Sequence, residues 1–304
     1  MSKRKLSNQQ RGRIAKNQRR DLAGTDQYLA PESKLNGLVI SHFGQQIDVE
    51  STELETAGQV VRCFQRSNLP PLVTGDRVVW EHGDGHNGVI IAQGTRRSEF
   101  RRPVFGGEVK PIAANIDIVL IVIAPLPVSH VSLIDRYLVA IETIGLDAVI
   151  VFNKSDLLDK KDRRAAATDL LAVYRNLGYP IEEVSALEKK GIESLRDQLS
   201  GSNAVLVGQS GVGKSSLINN LSDKQLAATG LISEANEQGI HTTTTSRLYH
   251  FPTFNIIDSP GIREFGLGHV TESELFDGFR ELRPLAGSCK YRDCRHGGEK
   301  GCAL

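Results

Sequence analysis

The chain has 304 residues, enough for about two domains that each bury a hydrophobic core. Its 37 basic and 36 acidic residues nearly cancel, and no apolar run approaches the roughly eighteen residues that a membrane span needs. The first residues lack the apolar core of a secretory signal, so we expect a cytoplasmic protein without membrane attachment.

The charge is unevenly distributed along the chain. Residues 1–20 carry eight Lys and Arg residues and no acidic residue, which leaves 29 basic against 36 acidic residues in the remainder. A like-charged arm rich in Gln and Asn predicts disorder in isolation, and we assign this arm to residues 1–34. Such an arm can bind nucleic acid phosphates or form a solvated tail, and its charge alone favours neither interpretation.

Residues 35–95 contain short β-type runs separated by turn residues. Five runs predict strands, and they begin at Gly37, Gln46, Val60, Asp76 and Gly88. This density of short strands predicts a small closed barrel of the OB type. Such barrels often bind single-stranded nucleic acid, but aromatic residues are sparse here, so RNA binding and a purely structural barrel both stay open. Cys63 lies in an apolar run and is expected in the core.

The pattern of apolar and turn residues changes after the barrel. Residues 95–115 combine a basic cluster with Pro103 and a Gly-Gly pair, which predicts a linker. Ile118–Ile123 is then a continuous apolar run, as in a strand buried on both faces, and apolar residues at helical spacing follow over 133–144. Because strands and helices continue to alternate, the sequence predicts a doubly wound α/β domain over residues 96–268.

One run in this domain matches the phosphate-binding loop pattern G-x-x-x-x-G-K-[ST], namely Gly208-Gln209-Ser210-Gly211-Val212-Gly213-Lys214-Ser215. A strand-like run precedes it and a helical pattern begins at Ser216, as the motif requires. Backbone amides of such a loop point at phosphate oxygens, and the helix adds the positive end of its dipole. We expect Lys214 to reach the β- and γ-phosphates and act in catalysis, and the Ser215 hydroxyl to bind Mg²⁺.

A second motif follows the strand-like run 148–152 and matches N-K-x-D of GTP-binding proteins, namely Asn153-Lys154-Ser155-Asp156. An ionised Asp156 can accept hydrogen bonds from N1–H and the 2-amino group of guanine, whereas adenine offers neither donor. Asn153 and Lys154 are expected to pack the base and brace the phosphate loop. Ser185-Ala186-Leu187 occupies the place of the second guanine-binding loop.

Two further loops predict contacts with Mg²⁺ and the γ-phosphate. The Thr-rich run 239–245 is typical of a first switch, in which either Thr243 or Thr244 completes the Mg²⁺ shell. A strand then ends in Asp258-Ser259-Pro260-Gly261, a D-x-P-G motif. Asp258 is expected to hold Mg²⁺ through water, and the Gly261 amide to sense the γ-phosphate.

The order of these motifs is unusual. Conventional GTPases run from the phosphate loop through the switch threonine and D-x-x-G to N-K-x-D and the second base loop, whereas this chain places the last two first. A folded domain whose ends lie close together tolerates such a circular permutation. The short segment 200–203 joins the two halves.

The last 36 residues, 269–304, contain a compact cluster of metal-binding side chains, namely Cys289, Cys294, His296 and Cys302. Three thiolates and one imidazole make a complete tetrahedral Zn²⁺ site of the structural type. The alternative is a set of unrelated thiols beside a surface histidine.

The permuted motif order, the preceding barrel and the Cys-Cys-His-Cys tail together resemble the small ribosomal subunit biogenesis GTPase family, RsgA/YjeQ. The resemblance implies an OB domain, a permuted GTPase domain and a zinc domain. It also implies late maturation of the 30S subunit, contact with its 16S rRNA and stimulation of GTP hydrolysis by the particle; we further expect a monomer. Members of the family continue past the last zinc ligand with a helical tail, so we expect the module that stops at Leu304 to be truncated.

Conventional small GTPases place a water-orienting Gln directly after the D-x-x-G glycine. Here Ile262 has that position, which predicts slow intrinsic turnover. His241, beside the switch threonines, is the candidate for orienting the attacking water, and the resemblance points the same way; the alternative is a solvent-facing histidine. Two other function classes stay open, a nucleotide-gated RNA-binding adaptor and a metabolic ATPase or kinase, although Asp156 argues against ATP.

Overall fold

The computed structural model of the chain describes residues 29–43, 46–83, 87–103, 109–159, 161–222, 246–259, 267 and 270–304. The chain divides into two compact units, Met1–Arg96 and Arg97–Leu304. The predicted basic arm lies outside the described residues up to position 28. The four domain ranges given above stay predictions.

Short strands build the first unit. They are β1 (Leu29–Ala30), β2 (Gly37–Phe43), β3 (Gln46–Ser51), β4 (Val60–Gln65), β5 (Arg77–His82) and β6 (Gly88–Gly94), with a 3-10 turn at Glu32–Lys34. Strands β2 to β6 pair in the order β2–β3–β4–β6–β5, and β5 pairs back with β2. The β4–β6 pair is parallel and the others are antiparallel. This closed five-strand barrel confirms the predicted barrel.

Buried and exposed side chains alternate along the barrel strands, and the buried ones form the core of the barrel. Val39, Val49 and Ile90 are fully buried, and Trp80 packs with them. Cys63 is also fully buried, and burial raises the pKa of its thiol to about 11. The prediction that Cys63 belongs to the core is therefore confirmed.

The second unit begins with a β-hairpin formed by β7 (Glu99–Pro103) and β8 (Val109–Ala114). The interpretation of residues 95–115 as a linker is therefore wrong. The content of Arg, Pro and Gly suggested a linker, although side chains in this segment alternate between buried and exposed positions. Phe100 and Ala113 are fully buried, and Arg101 faces solvent. Phe100 and Ala113 lie opposite each other, and such cross-strand pairs stabilise a hairpin.

A six-strand sheet forms the centre of the second unit. Its strands are β9 (Ile118–Ile123), β10 (Asp147–Phe152), β11 (Ile181–Glu183), β12 (Asn203–Val207), β13 (Arg247–His250) and β14 (Asn255–Asp258). They lie in the order β13–β14–β12–β9–β10–β11, and all pairs are parallel except β13–β14. The helices are α1 (Val131–Thr143), α2 (Lys161–Asn176), α3 (Ile192–Leu199), α4 (Lys214–Leu221) and α5 (Glu272–Gly278), with 3-10 turns at Ser155–Asp159 and Arg283–Leu285. The predicted α/β architecture is confirmed.

Continuous apolar runs explain the middle of this sheet. All six residues of β9 are buried, because β10 and β12 flank the strand and side chains cover both of its faces. Parallel strands place their carboxyl ends at one edge, where ligands bind in open α/β sheets. The loops that follow β10, β11, β12 and β14 carry the predicted nucleotide motifs, so the permuted chain still brings these motifs to one edge.

The chain ends in a small module with little regular structure. Thr271 caps α5 through a capping box with Glu274, in which each side chain bonds the backbone amide of the other residue. After the turn at Arg283–Leu285 the chain runs through irregular turns to Leu304. Within the part of the chain that the structure describes, no helix has both the length and the apolar character needed to cross a membrane.

Candidate functional site

The phosphate loop connects the end of β12 to the first turn of α4, as the motif requires. The eight residues of the motif all lie in this connection or in the first turn of α4, namely Gly208, Gln209, Ser210, Gly211, Val212, Gly213, Lys214 and Ser215. The Lys214 ammonium donates to the carbonyl oxygens of Gly208 and Gln209, at 2.8 Å each. The positive charge therefore lies over the loop whose amides are predicted to face phosphate. Ser216 follows in the first turn of the helix.

Asn153, at the end of β10, joins three loops. Its Nδ2 atom donates to the Val212 carbonyl at 2.9 Å, and its Oδ1 atom accepts from the Ala186 amide at 3.1 Å. The side chain is fully buried. Gly213 has φ of +95°, and a Cβ atom there would lie 2.4 Å from Asn153 Nδ2, so only glycine fits beside this amide. Asn153 thus braces the phosphate loop against the second base loop.

Lys154 ties the phosphate loop to the loop that follows β9. Its Nζ atom donates to the carbonyl oxygens of Leu126 at 2.8 Å and Gly211 at 2.6 Å. Its backbone has φ of +61°, in the left-handed region. The role of Leu126 was not predicted. Its backbone carbonyl accepts the bond from Lys154, and because every residue type has such a carbonyl, the sequence gives no signal for it.

Asp156 and Ser185 meet where the two predicted base loops converge. The Ser185 hydroxyl donates to Asp156 Oδ1 at 2.5 Å and accepts from the Glu188 amide at 3.0 Å. Ser185 is fully buried, and Asp156 lies in the 3-10 turn Ser155–Asp159. One carboxylate oxygen is therefore held by the protein, and the carboxylate has a fixed orientation.

The D-x-P-G strand brings a carboxylate close to the phosphate loop. Asp258 ends β14, next to β12 in the sheet. Its Oδ1 atom is buried and has no hydrogen-bond partner among the described residues. Burial raises the pKa of this carboxyl, and the nearby charge of Lys214 acts in the opposite direction. A buried carboxylate oxygen without a partner beside a phosphate loop can accept a hydrogen bond from a water molecule that is bound to a cation.

Several predicted site residues lie outside the described residues. They are the switch threonines Thr243 and Thr244, the candidate catalytic His241, and Gly261 with its neighbour Ile262. Their roles stay predictions.

The four metal-binding side chains converge in the C-terminal module. One ligand atom from each of Cys289, Cys294, His296 and Cys302 lies within 4.8 Å of every other. The sulfur atoms of these cysteines lie 3.5, 3.9 and 3.5 Å from His296 Nδ1, in that order. A tetrahedral zinc site with ordinary Zn–S and Zn–N distances requires about 3.6 Å between sulfur and nitrogen. The geometry therefore fits a closed Zn²⁺ site.

Glu299 organises the loop between the last two ligands. No sequence motif predicted this role. Its carboxylate accepts from the Arg295 amide at 3.1 Å and from the Gly297 amide at 2.7 Å. It also lies 3.6 Å from the sulfur of Cys294. An acidic residue placed among the ligands was the available signal for this role.

Comparisons with known proteins agree with this geometry. A family model described as RsgA GTPase matches residues 93–268. A small ribosomal subunit biogenesis GTPase RsgA from Pseudomonas syringae pv. syringae is 51% identical over 319 residues, which cover 100% of this chain and 92% of the relative. The protein of the same name from Pseudomonas putida strain F1 is 52% identical over 304 residues, which cover 99% of this chain and 87% of the relative.

Two solved structures are similar to the fold. YjeQ from Thermotoga maritima matches with a TM-score of 0.64 and 30% identity over 88% of each chain. YloQ, described as a circularly permuted GTPase, matches with a TM-score of 0.64 and 24% identity over 88% of this chain and 86% of its own. With the matched family model and relatives of similar length, these findings show that the chain belongs to the RsgA family of circularly permuted GTPases.

Proposed function

We propose that this protein binds GTP and GDP at the edge of the α/β sheet and hydrolyses GTP as a late maturation factor of the 30S ribosomal subunit. The observation that carries the proposal is the Asn153 brace, which joins the phosphate loop to both predicted base loops. The relatives named as small ribosomal subunit biogenesis GTPases support the cellular role.

Guanine specificity rests on Asp156. Ser185 occupies one side of this carboxylate with a short hydrogen bond, which supports a fixed orientation toward the base. In that orientation the carboxylate accepts from N1–H and the 2-amino group of guanine. Adenine offers neither donor, so it would leave the second carboxylate oxygen of the half-buried Asp156 without these hydrogen bonds, and the loss of hydrogen bonds to a charged acceptor gives strong discrimination.

Mg²⁺ would be held by the Ser215 hydroxyl, by Asp258 through water and by Thr243 or Thr244. The orphaned Oδ1 atom of Asp258 supports its part in this set. When bound, the ion neutralises charge on the β- and γ-phosphates and orients them. Lys214 adds a second positive charge at the same oxygens, and the loop amides at the start of α4 bind the remaining oxygens.

Hydrolysis requires an oriented water molecule. Ile262 cannot orient one, because its side chain neither donates nor accepts a hydrogen bond. We assign that role to His241, and intrinsic turnover is accordingly slow until the 30S particle is engaged. Turnover with the 30S particle distinguishes this enzyme from a nucleotide-gated adaptor, which would bind GTP and barely hydrolyse it.

The Cys289, Cys294, His296 and Cys302 cluster would hold one structural Zn²⁺ ion. The sulfur–nitrogen distances near 3.6 Å and the absence of a free fourth position in this donor set support that assignment. Lys290 and Arg295 flank the ligands and give the module positive charge for contact with 16S rRNA. We expect the protein to act in the cytoplasm as a monomer.

The test is GTP hydrolysis measured with and without purified 30S subunits. We expect slow release of phosphate from the protein alone and an increase of at least about tenfold with 30S subunits, because the particle completes the catalytic arrangement. Purified 50S subunits serve as the control. Equal rates with 30S, with 50S and without subunits would contradict the proposed function and favour the adaptor.

A further inference from the structure

His296 is the one imidazole among the four metal-binding side chains, and it differs from the three cysteines in two ways. The residue is exposed, whereas the cysteines are half-buried. Its backbone has φ of +59°, in the left-handed region that residues other than glycine seldom adopt. Such a conformation persists only where the surrounding structure holds it. The contacts around His296 should therefore explain how its Nδ1 atom comes to face the three sulfur atoms.

The Glu299 carboxylate holds the backbone on both sides of His296. Its Oε1 atom accepts from the Arg295 amide at 3.1 Å, and its Oε2 atom accepts from the Gly297 amide at 2.7 Å. The amide of Cys302, the next ligand along the chain, donates to the Glu299 carbonyl at 3.0 Å. One residue thus connects both neighbours of His296 to the last cysteine, and charge-assisted hydrogen bonds fix the left-handed turn at His296.

Phe276 of α5 covers one face of the His296 ring. The two ring centroids lie 5.1 Å apart with 22° between the ring planes, which is a stacked arrangement. Nδ1 is the ring atom that faces the sulfur atoms of the cysteines. A contact on the face of the ring limits its rotation and leaves Nδ1 accessible at its edge. The stacking therefore favours the ring orientation that metal binding requires.

Helix α5 is itself held against α1. A Cβ atom on Gly278 would lie 2.7 Å from Val139 Cγ1, so the two helices approach each other as closely as a glycine allows. Just after α5, Arg280 Nε donates to Glu142 Oε1 of α1 at 2.6 Å. The helix that carries Phe276 is therefore positioned by α1 as well as by the metal-binding loop.

We propose that Phe276 and Glu299 are positioning residues of the zinc site, and that Phe276 links metal binding to the docking of α5. Glu299 fixes the turn that carries His296, and Phe276 fixes the plane of its ring, so that Nδ1 faces the sulfur atoms before the metal binds. Because such a linkage is reciprocal, a bound ion that holds His296 also holds Phe276 and stabilises α5. The inference rests on the proposed function in one respect, the assignment of a structural Zn²⁺ ion to this cluster.

The first test is the affinity for zinc, measured on the full chain by competition with a chromophoric chelator. Phe276→Ala is expected to raise the dissociation constant of zinc by about threefold to tenfold, as for the loss of one aromatic pair. Glu299→Ala should raise it by about tenfold or more, which is the usual effect of removing a residue that orients a metal ligand. Phe276→Tyr keeps the ring and should bind zinc as the parent does.

Two matched controls separate these roles from general effects. Phe279→Ala removes an aromatic side chain that is half-buried and lines the same groove as Phe276 and His296. Asp293→Ala removes an exposed acidic side chain next to the ligand Cys294, and so matches the charge lost with Glu299. Phe279→Ala should lower the unfolding temperature, and both controls should keep the dissociation constant of zinc within about twofold of the parent value.

The absorption spectrum with cobalt(II) in place of zinc distinguishes a positioning residue from a metal ligand. At saturating cobalt, Phe276→Ala and Glu299→Ala should both show the bands of a tetrahedral site with three sulfur ligands and one nitrogen ligand, because all four ligands are still present. Bands of a different donor set in either variant would contradict a positioning role for that residue.

Hydrogen exchange of the Leu275 amide, followed by NMR, measures the linkage in the other direction. This amide donates to the Thr271 carbonyl at 2.8 Å within α5. Its exchange should slow when zinc binds to the parent, because the ion stabilises α5 through His296 and Phe276. At saturating zinc, the exchange should slow less in Phe276→Ala than in the parent.

Zinc affinity unchanged by both Phe276→Ala and Glu299→Ala, or Leu275 exchange independent of zinc in the parent, would overturn the inference. An equal loss of affinity in Phe279→Ala and Phe276→Ala would overturn it too, because the effect would then be general destabilisation. A parent protein that binds no zinc would contradict the proposed Zn²⁺ site and the inference together. A parent that binds about one ion per chain supports that site, whatever the variants show.

Discussion

Replacement of Asn153 by alanine removes the contact on which the nucleotide site most depends. The substitution deletes the bond from Nδ2 to the Val212 carbonyl, at 2.9 Å, and the bond from the Ala186 amide to Oδ1, at 3.1 Å. Val212 and Asn153 are fully buried, and Ala186 is only 8% exposed. Water cannot readily replace either partner.

The magnitude follows from the two groups that lose their partners. Each buried backbone group left without a hydrogen bond costs about 1–3 kcal/mol, so the loss of two partners should lower the free energy of unfolding of nucleotide-free protein by about 2–6 kcal/mol. The phosphate loop and the second base loop also lose their common support. We therefore expect the dissociation constant of GDP to rise by at least about tenfold, equivalent to about 1.4 kcal/mol.

Urea unfolding and calorimetric titration with GDP measure the two effects separately. Asn220→Ala is the matched control, since Asn220 Nδ2 donates to the Ser216 carbonyl at 2.8 Å, a bond that lies within α4. The control should lose less than about 1 kcal/mol and bind GDP as the parent does. If Asn153→Ala matched the control in both assays, the bracing role of Asn153 would be refuted.

Three further outcomes are expected. Asp258 has a raised pKa chiefly because it is buried, so its protonated form stabilises nucleotide-free protein at low pH, and this stability is lost as pH rises through the raised pKa. Asp258→Asn should remove that pH dependence in urea unfolding, increase stability at pH 7 and abolish the Mg²⁺ dependence of GTP binding; an unchanged pH profile would contradict this. Cys294→Ser, or removal of metal by a chelator, should reduce bound zinc from about one ion per chain and lower the unfolding temperature, whereas Cys63→Ser should leave zinc content unchanged. His241→Ala should reduce 30S-stimulated turnover by about 100-fold or more with GTP affinity unchanged, and full stimulated turnover would remove this residue from the mechanism.

Local patterns were sufficient to predict the centre of the fold. The continuous apolar run of β9 predicted a strand buried on both faces, and the structure buries all six of its residues. The phosphate loop and N-K-x-D motif predicted which loops belong at the sheet edge because each motif has its chemistry in a few consecutive residues. Cys289, Cys294, His296 and Cys302 were likewise recognisable because metal ligands need specific side chains at short spacing.

Other features could not be predicted because they depend on partners distant in sequence. Strand β13 (Arg247–His250) is short and polar at both ends, and its pairing with β14 gives no periodic signal over four residues. The bond from Arg280 to Glu142 joins residues separated by 138 positions. The hairpin after Arg97 resembled a linker because its composition is rich in Arg, Pro and Gly, and the burial of Phe100 and Ala113 identifies its inner face.

Calorimetric titration of GDP and ADP into the parent protein and into Asp156→Ala tests the central claim most directly. The account predicts that the parent binds GDP at least about 100-fold more tightly than ADP, and that Asp156→Ala removes most of this preference. Equal binding of GDP by the parent and by Asp156→Ala would contradict the guanine pocket formed by the permuted loops.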